Sequence, residues 1–194
     1  VVVSIAPFHA LTAGIMEGVA TPQLLLTYGV SEHHYSLKPS DVKKLHQADI
    51  IIWGGPELES FLVNTLQTVS DNQTILTLVN TPRLHLLRSR SYNISAHNNT
   101  HDTDIENDHP HDHTTVNDMH FWLDPTNAKI MVDFIAKTLI DTDPIHKKQY
   151  LKNAANLKIK LDQLDKQLAR NLKPFHKIPF LVFHDAYQYF EKRY

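Results

Sequence analysis

The chain has 194 residues, 42% of them apolar, which suits one ordinary domain or one domain with part of another and argues against global disorder. A formal charge of -2 with no basic stripe gives nucleic acid phosphates nothing to hold, so nucleic acid is excluded as a partner. There is no cysteine and no run of 18 apolar residues, which rules out disulfides, thiolate metal sites and membrane-spanning helices within these residues.

The β-branched run VVVSI at 1–5 predicts a buried strand, and Leu11, Ile15 and Val19, four residues apart, predict a helix over 8–19. A Leu-rich extended run follows at 23–28 and ends at Gly29. After the turn-rich stretch 30–40, Ser40 is placed to cap a helix over 41–47. DIIIW at 49–53 predicts another strand, stopped by Gly54-Gly55-Pro56; a helix is expected over 57–69 and a strand over 74–79. Strands alternating with helices, with near-continuous apolar strands, predict an α/β fold on a parallel sheet covered on both faces.

Residues 80–117 break this pattern. Arg83, Arg88 and Arg90 precede HNNTHDTDIENDHPHDH at 97–113, which has almost no apolar residue. Such a stretch cannot bury enough surface to offset its ordering entropy, so a long mobile surface loop is expected. Helical periodicity resumes over 126–140, and 144–172 reads as one long amphipathic helix able to tie two lobes together. A strand at 180–183 and a helix from 186 to 191 follow. The expected organisation is an α/β lobe over 1–140, a connecting helix over 144–173 and the beginning of a second α/β lobe over 179–194, most of which lies outside this sequence.

Fourteen histidines against three methionines are the compositional anomaly, and imidazole is a common metal ligand. Interspersed with Asp and lying mid-chain, they do not resemble a purification tag. His33, His120 and His184 each follow a strand or loop end, where open α/β sheets bind ligands. They stand 87 and 64 positions apart, so only the fold can assemble them. From position alone, one zinc site and three separately hydrogen-bonded histidines both remain open. Asp185 reads equally as a partner orienting His184 or as a cap for the next helix. Trp53, Trp122 and Tyr187 are cleft walls or plain core. Glu57 and Glu59 read as acids at a helix start in preference to a paired-carboxylate site, and His9 and His46 as structural or exposed.

YGVSEHHYSLKPSD at 28–41 resembles the signature of the zinc-specific solute-binding proteins of ABC transporters, the ZnuA type within the cluster A-I metal-binding family. The matching positions are Gly29, Ser31, His33, Tyr35, Pro39, Ser40 and Asp41. VVVSIAPFHAL at the start, MHFWLDP at 119–125 and FHDAYQYFE at 183–191 agree in order, and the polar His- and Asp-rich loop lies between the second and third motifs. The resemblance implies a two-lobed solute-binding protein whose parallel sheets are joined by a long rigid helix, with Zn2+ held in the cleft. It implies His33, His120 and His184 as ligands, with Glu32 or a water in the variable fourth position and His34 facing solvent. It further implies a monomer in the periplasm, or anchored at the cell surface, that serves an ABC transporter membrane permease. The loop histidines His97, His101, His109, His111 and His113 are expected to form a second, weaker metal-collecting device.

Three other functions compete. A zinc enzyme needs a general base or nucleophile, and neither HExxH nor GxSxG occurs. Manganese prefers carboxylate oxygens to three neutral imidazoles. An adhesin of the same fold has no distinguishing sequence feature.

Overall fold

The computed structural model describes residues 1–27, 35–90 and 117–194. Four strands form one parallel sheet: β1 (Val2–Val3), β2 (Gln23–Leu24), β3 (Ile50–Trp53) and β4 (Thr74–Thr77), in the order β2-β1-β3-β4. The central β3 is buried along its whole length, as an IIIW strand covered on both faces must be. Helix α1 (Ala6–Met16) leads from β1 to β2, and the chain then crosses back over β1 to place β3 on its other side. Such a reversal, here between β1 and β3, is where open α/β sheets leave a crevice at the carboxyl ends of their strands.

The helices differ from sequence expectation mainly at their ends. α1 stops at Met16, where the amides of Val19 and Ala20 bond the Met16 carbonyl and Gly18 takes a φ of 79°. α2 (Pro39–His46) is capped at Lys38, not Ser40, because Pro39 suits the first helical position and the Asp41 carboxylate accepts the Lys38 amide at 3.1 Å. The expected helix over 57–69 shrinks to a 3-10 turn at Ser60–Leu62 and a single turn, α3 (Val63–Leu66). α4 (Pro125–Thr142) begins where the Asp124 side chain accepts the Thr126 amide at 2.8 Å.

α5 (Lys147–Leu172) has 26 residues, about 39 Å at 1.5 Å per residue. Its first half packs on α1 and α4. A Cβ at Gly14 of α1 would lie 3.2 Å from Leu157, which explains a glycine at this close crossing. Asn153 donates to the carbonyls of Ile15 at 2.9 Å and Glu17 at 2.8 Å, closing the end of α1. The last helix, α6 (Gln188–Arg193), is tied to α5 by Arg193 on Asp165, with an Nε–Oδ1 distance of 2.8 Å.

Two expectations need correction. Residues 80–90 do not belong to a solvated loop: Leu84, Leu86 and Leu87 pack against the core, and Asn127 holds both the amide and the carbonyl of His85 at 2.9 Å. The apolar run 180–183 is not a strand. It has no ladder partner among the described residues, and Leu181 and Phe183 are fully exposed. No helix among the described residues is long and apolar enough to cross a membrane.

Candidate metal centre

The crevice floor is built by Glu59. Its carboxylate is completely buried and accepts the amides of Gly54 at 2.7 Å and Gly55 at 3.1 Å, together with the Ser4 hydroxyl. Those donors come from the ends of β1 and β3, so one carboxylate ties the two central strands where the chain order reverses. A buried carboxylate without such donors would be very costly. Glu59 therefore does not serve as a helix-start acid, and Glu57 is exposed beside it. Gly55, at φ 146°, lets the chain pass close beneath Val79 and Met119; a Cβ there would sit 2.8 Å from Val79.

Met119 leads directly to His120. The Asp118 carboxylate accepts both the His120 amide at 3.0 Å and the His120 ring Nδ1–H at 2.8 Å. A carboxylate can only accept, so this bond assigns the proton to Nδ1 and leaves the Nε2 lone pair directed away from Asp118. Both residues are buried, and the second carboxylate oxygen of Asp118 has no hydrogen-bond partner among the described residues. The Trp122 ring lies 5.3 Å from the His120 ring and is itself held edge-on by Phe8 at 5.3 Å. The imidazole is thus fixed by a carboxylate behind it and an indole beside it.

His184 arrives from a bend, not from a strand end. Its Nε2 lies 3.3 Å from Nε2 of His120, and the two rings are inclined by 51°. Two nitrogens each about 2.0–2.1 Å from a tetrahedral zinc ion would stand about 3.4 Å apart. The pair already has the spacing that a shared ion requires.

Both histidines rest on one neck. Arg88 bridges Asn117, and the Asp118 amide bonds the Leu87 carbonyl at 2.8 Å. The buried Tyr189 hydroxyl of α6 accepts the Leu87 amide at 2.8 Å and donates to the Asp118 carbonyl at 2.7 Å. Burial pushes that phenol up to about 12. Arg90 grips Asp185 and Glu191 from the same neck.

The structure therefore brings His120 and His184 together; among the described residues they are the two imidazoles that meet in this crevice. His33, Glu32 and His34 lie outside the described residues, as do His97, His101, His109, His111 and His113. Asp185 does not cap α6, which starts three residues later, and its carboxylate goes to Arg90 and not to the His184 ring. Trp122 walls the site, whereas Trp53 belongs to the sheet end, donating to Thr77 at 2.9 Å, and Tyr187 is exposed. His9 is structural, its Nε2 bonded to the Pro22 carbonyl at 3.0 Å, and His46 is exposed. Sequence reasoning missed the roles of Asp118 and Arg90 and gave Glu59 a different one. The spacing Asp-x-His at 118–120 was the available signal for Asp118; nothing local marks Arg90.

Comparison with known proteins gives the same direction along the whole chain. The family model described as zinc-uptake complex component A, periplasmic (ZnuA), matches residues 1–194. The high-affinity zinc uptake system protein ZnuA of Brucella abortus is 41% identical over 100% of this chain and 64% of its own length. The crystal structure of a ZnuA superposes with a TM-score of 0.79 at 23% identity, covering 100% of this chain and 66% of that one. The zinc-bound ZnuA-like domain of Streptococcus pneumoniae AdcA gives 0.74 at 24% identity, covering 97% and 61%. These structural likenesses establish the fold. The chain spans just under two thirds of the length of the Brucella relative.

Proposed function

The chain belongs to the zinc-uptake complex component A family, ZnuA, and from that membership we propose that it is the metal-capturing part of a solute-binding protein that takes up Zn2+ and delivers it to an ABC transporter membrane permease. The observation that carries the reading is the 3.3 Å Nε2–Nε2 approach of His120 and His184, with Asp118 holding the first imidazole. A carboxylate–imidazole pair raises the basicity of the outer nitrogen and removes its rotational freedom, so less ordering is needed when the ion arrives. Nitrogen donors suit zinc better than manganese. Zinc is cargo here: neutral imidazoles bind it reversibly, and the site works as a carrier, not as a catalyst.

His33 and Glu32 complete the ligand set in this reading. Residues 1–140 form the first lobe, 144–173 the connector and 179–194 the beginning of the second lobe. The protein acts as a monomer, and it works in the periplasm, the location that the family description names. His97, His101, His109, His111 and His113 collect zinc weakly near the site.

The test is metal analysis of the full-length protein, purified without a His tag. One tightly held zinc per chain is expected, lost on His120→Ala. Absence of tight zinc from the wild type, or tight zinc that survives His120→Ala, would sink the reading.

A further inference from the structure

His184 lies in a stretch outside the sheet and the helices. Among the described residues, 180–187 join no strand ladder, Phe180, Leu181 and Phe183 are exposed, and the bond from the Ala186 amide to the His184 carbonyl is local. Yet its ring meets His120 at a defined distance. Its chain neighbours Asp185 and Gln188 are held by the Arg88–Arg90 neck.

The firmest hold is that of Arg90. Its guanidinium donates through Nε to Asp185 at 3.0 Å and through a second nitrogen to the other Asp185 oxygen, a fork-to-fork pair. A third nitrogen reaches Glu191 at 2.6 Å. One planar cation therefore joins the residue after His184 to α6, across 95 and 101 positions of sequence. The Glu191 and Asp185 bonds raise the Arg90 pKa further above its ordinary value. Gln188 adds a bond to the Arg88 carbonyl at 3.1 Å.

We propose that Arg90 is a positioning residue for metal capture: by holding Asp185 and Glu191 it places the His184 imidazole opposite His120. The opposite side of the same neck carries Asp118, which holds His120. The neck is thus the element that sets the spacing between the two nitrogens. The proposal rests on reading His120 and His184 as zinc ligands.

A partly exposed ion pair contributes little to folding, whatever its role. A positioning role must therefore show in the metal site and not chiefly in stability. The experiment uses the full-length protein and reads three quantities: zinc affinity by competition with a chromophoric chelator, the visible ligand-field spectrum of the Co2+-substituted protein, and the melting temperature of the metal-free protein. Arg90→Met should weaken zinc binding about tenfold, the lower end of what losing an outer partner of a ligand costs. It should also alter the Co2+ bands while shifting the metal-free melting temperature little. Arg90→Lys should recover part of the affinity, because an ammonium cannot grip both carboxylates in a fork. Asp185→Asn should reproduce the Arg90→Met effect, and it carries the test if Arg90→Met fails to fold. Unchanged zinc affinity and an unchanged Co2+ spectrum in the variant would overturn the proposal, as would full affinity with only a lowered melting temperature. A wild-type protein that binds neither Zn2+ nor Co2+ would instead overturn the metal reading itself.

Discussion

Nε2 of His120 faces Nε2 of His184 at 3.3 Å, although 64 positions separate the two residues in the chain. With the His120 proton held on Nδ1 by Asp118, that ring can only accept along this line. The contact is then either one hydrogen bond donated by His184 or two lone pairs turned toward one cation. A bound zinc ion would convert the first into the second with little movement of the rings once the His184 Nε2 proton is released or shifts to Nδ1, since the tetrahedral spacing is about 3.4 Å. Replacing either His120 or His184 by Ala should weaken zinc binding more than about 100-fold, beyond the usual loss for an outer-shell change. A chelator-competition titration measures this, and wild-type affinity in either variant would show that the histidine is not a ligand.

Asp118 offers a finer test, because orientation and charge can be separated. Asp118→Asn keeps an oxygen that can accept from Nδ1 but removes the negative charge; Asp118→Ala removes both. Zinc affinity should fall about 10- to 100-fold in the Ala variant and less in the Asn variant. Equal losses would mean that charge alone matters, and no loss in either would mean that Trp122 suffices to fix the imidazole.

The fold was legible wherever the apolar pattern was long enough to carry it. The IIIW run marked the central strand, and the spacing of Leu157, Leu161, Leu164 and Leu168 marked α5. The same logic failed at 180–183, where β-prone residues have no neighbouring strand to pair with among the described residues, and at 57–69, where the chain turns to bury Glu59 beneath two glycine amides. His120 and His184 were legible as candidates because they sit in recognisable local motifs. Their supports were not, since Arg90 with Asp185, and Tyr189 with Leu87, are pairings across about a hundred residues that only the folded chain brings together.

The anchoring of α6 on α5 gives a pH dependence of known sign. The hydrogen bond from Arg193 holds the Asp165 carboxyl below its ordinary range, with Tyr194 adding a second at 3.0 Å. A carboxyl whose folded pKa is depressed contributes stability that is present above its unfolded value, near 3.9, and is lost as pH falls through the folded value. The wild type should therefore lose stability across this acid range, and Asp165→Asn should flatten that part of the curve while lowering stability at neutral pH. Thermal melts at closely spaced pH values check this. An identical acid limb in the variant would show that the pair contributes nothing measurable.

The polar segment 97–113 invites a division of labour. It supplies five histidines with Asp102, Asp104, Asp108 and Asp112, and almost no apolar residue to pack them. A composition with so few apolar residues leads us to expect metal sites there that are weaker and less selective than the proposed His120–His184 site. Its benefit would be a raised local zinc concentration, as for any tethered ligand. The neck that supports the two histidines closes outside this segment, through the Arg88–Asn117 bridge and the Tyr189 hydroxyl. Deleting residues 97–113 should therefore leave one tight zinc site with its affinity intact while the total zinc bound at high metal falls. Equilibrium dialysis with metal analysis reads both numbers in one experiment. Loss of the tight site would show that the segment supplies or supports its ligands, and an unchanged total would make the segment a solvated spacer whose histidines hold no metal.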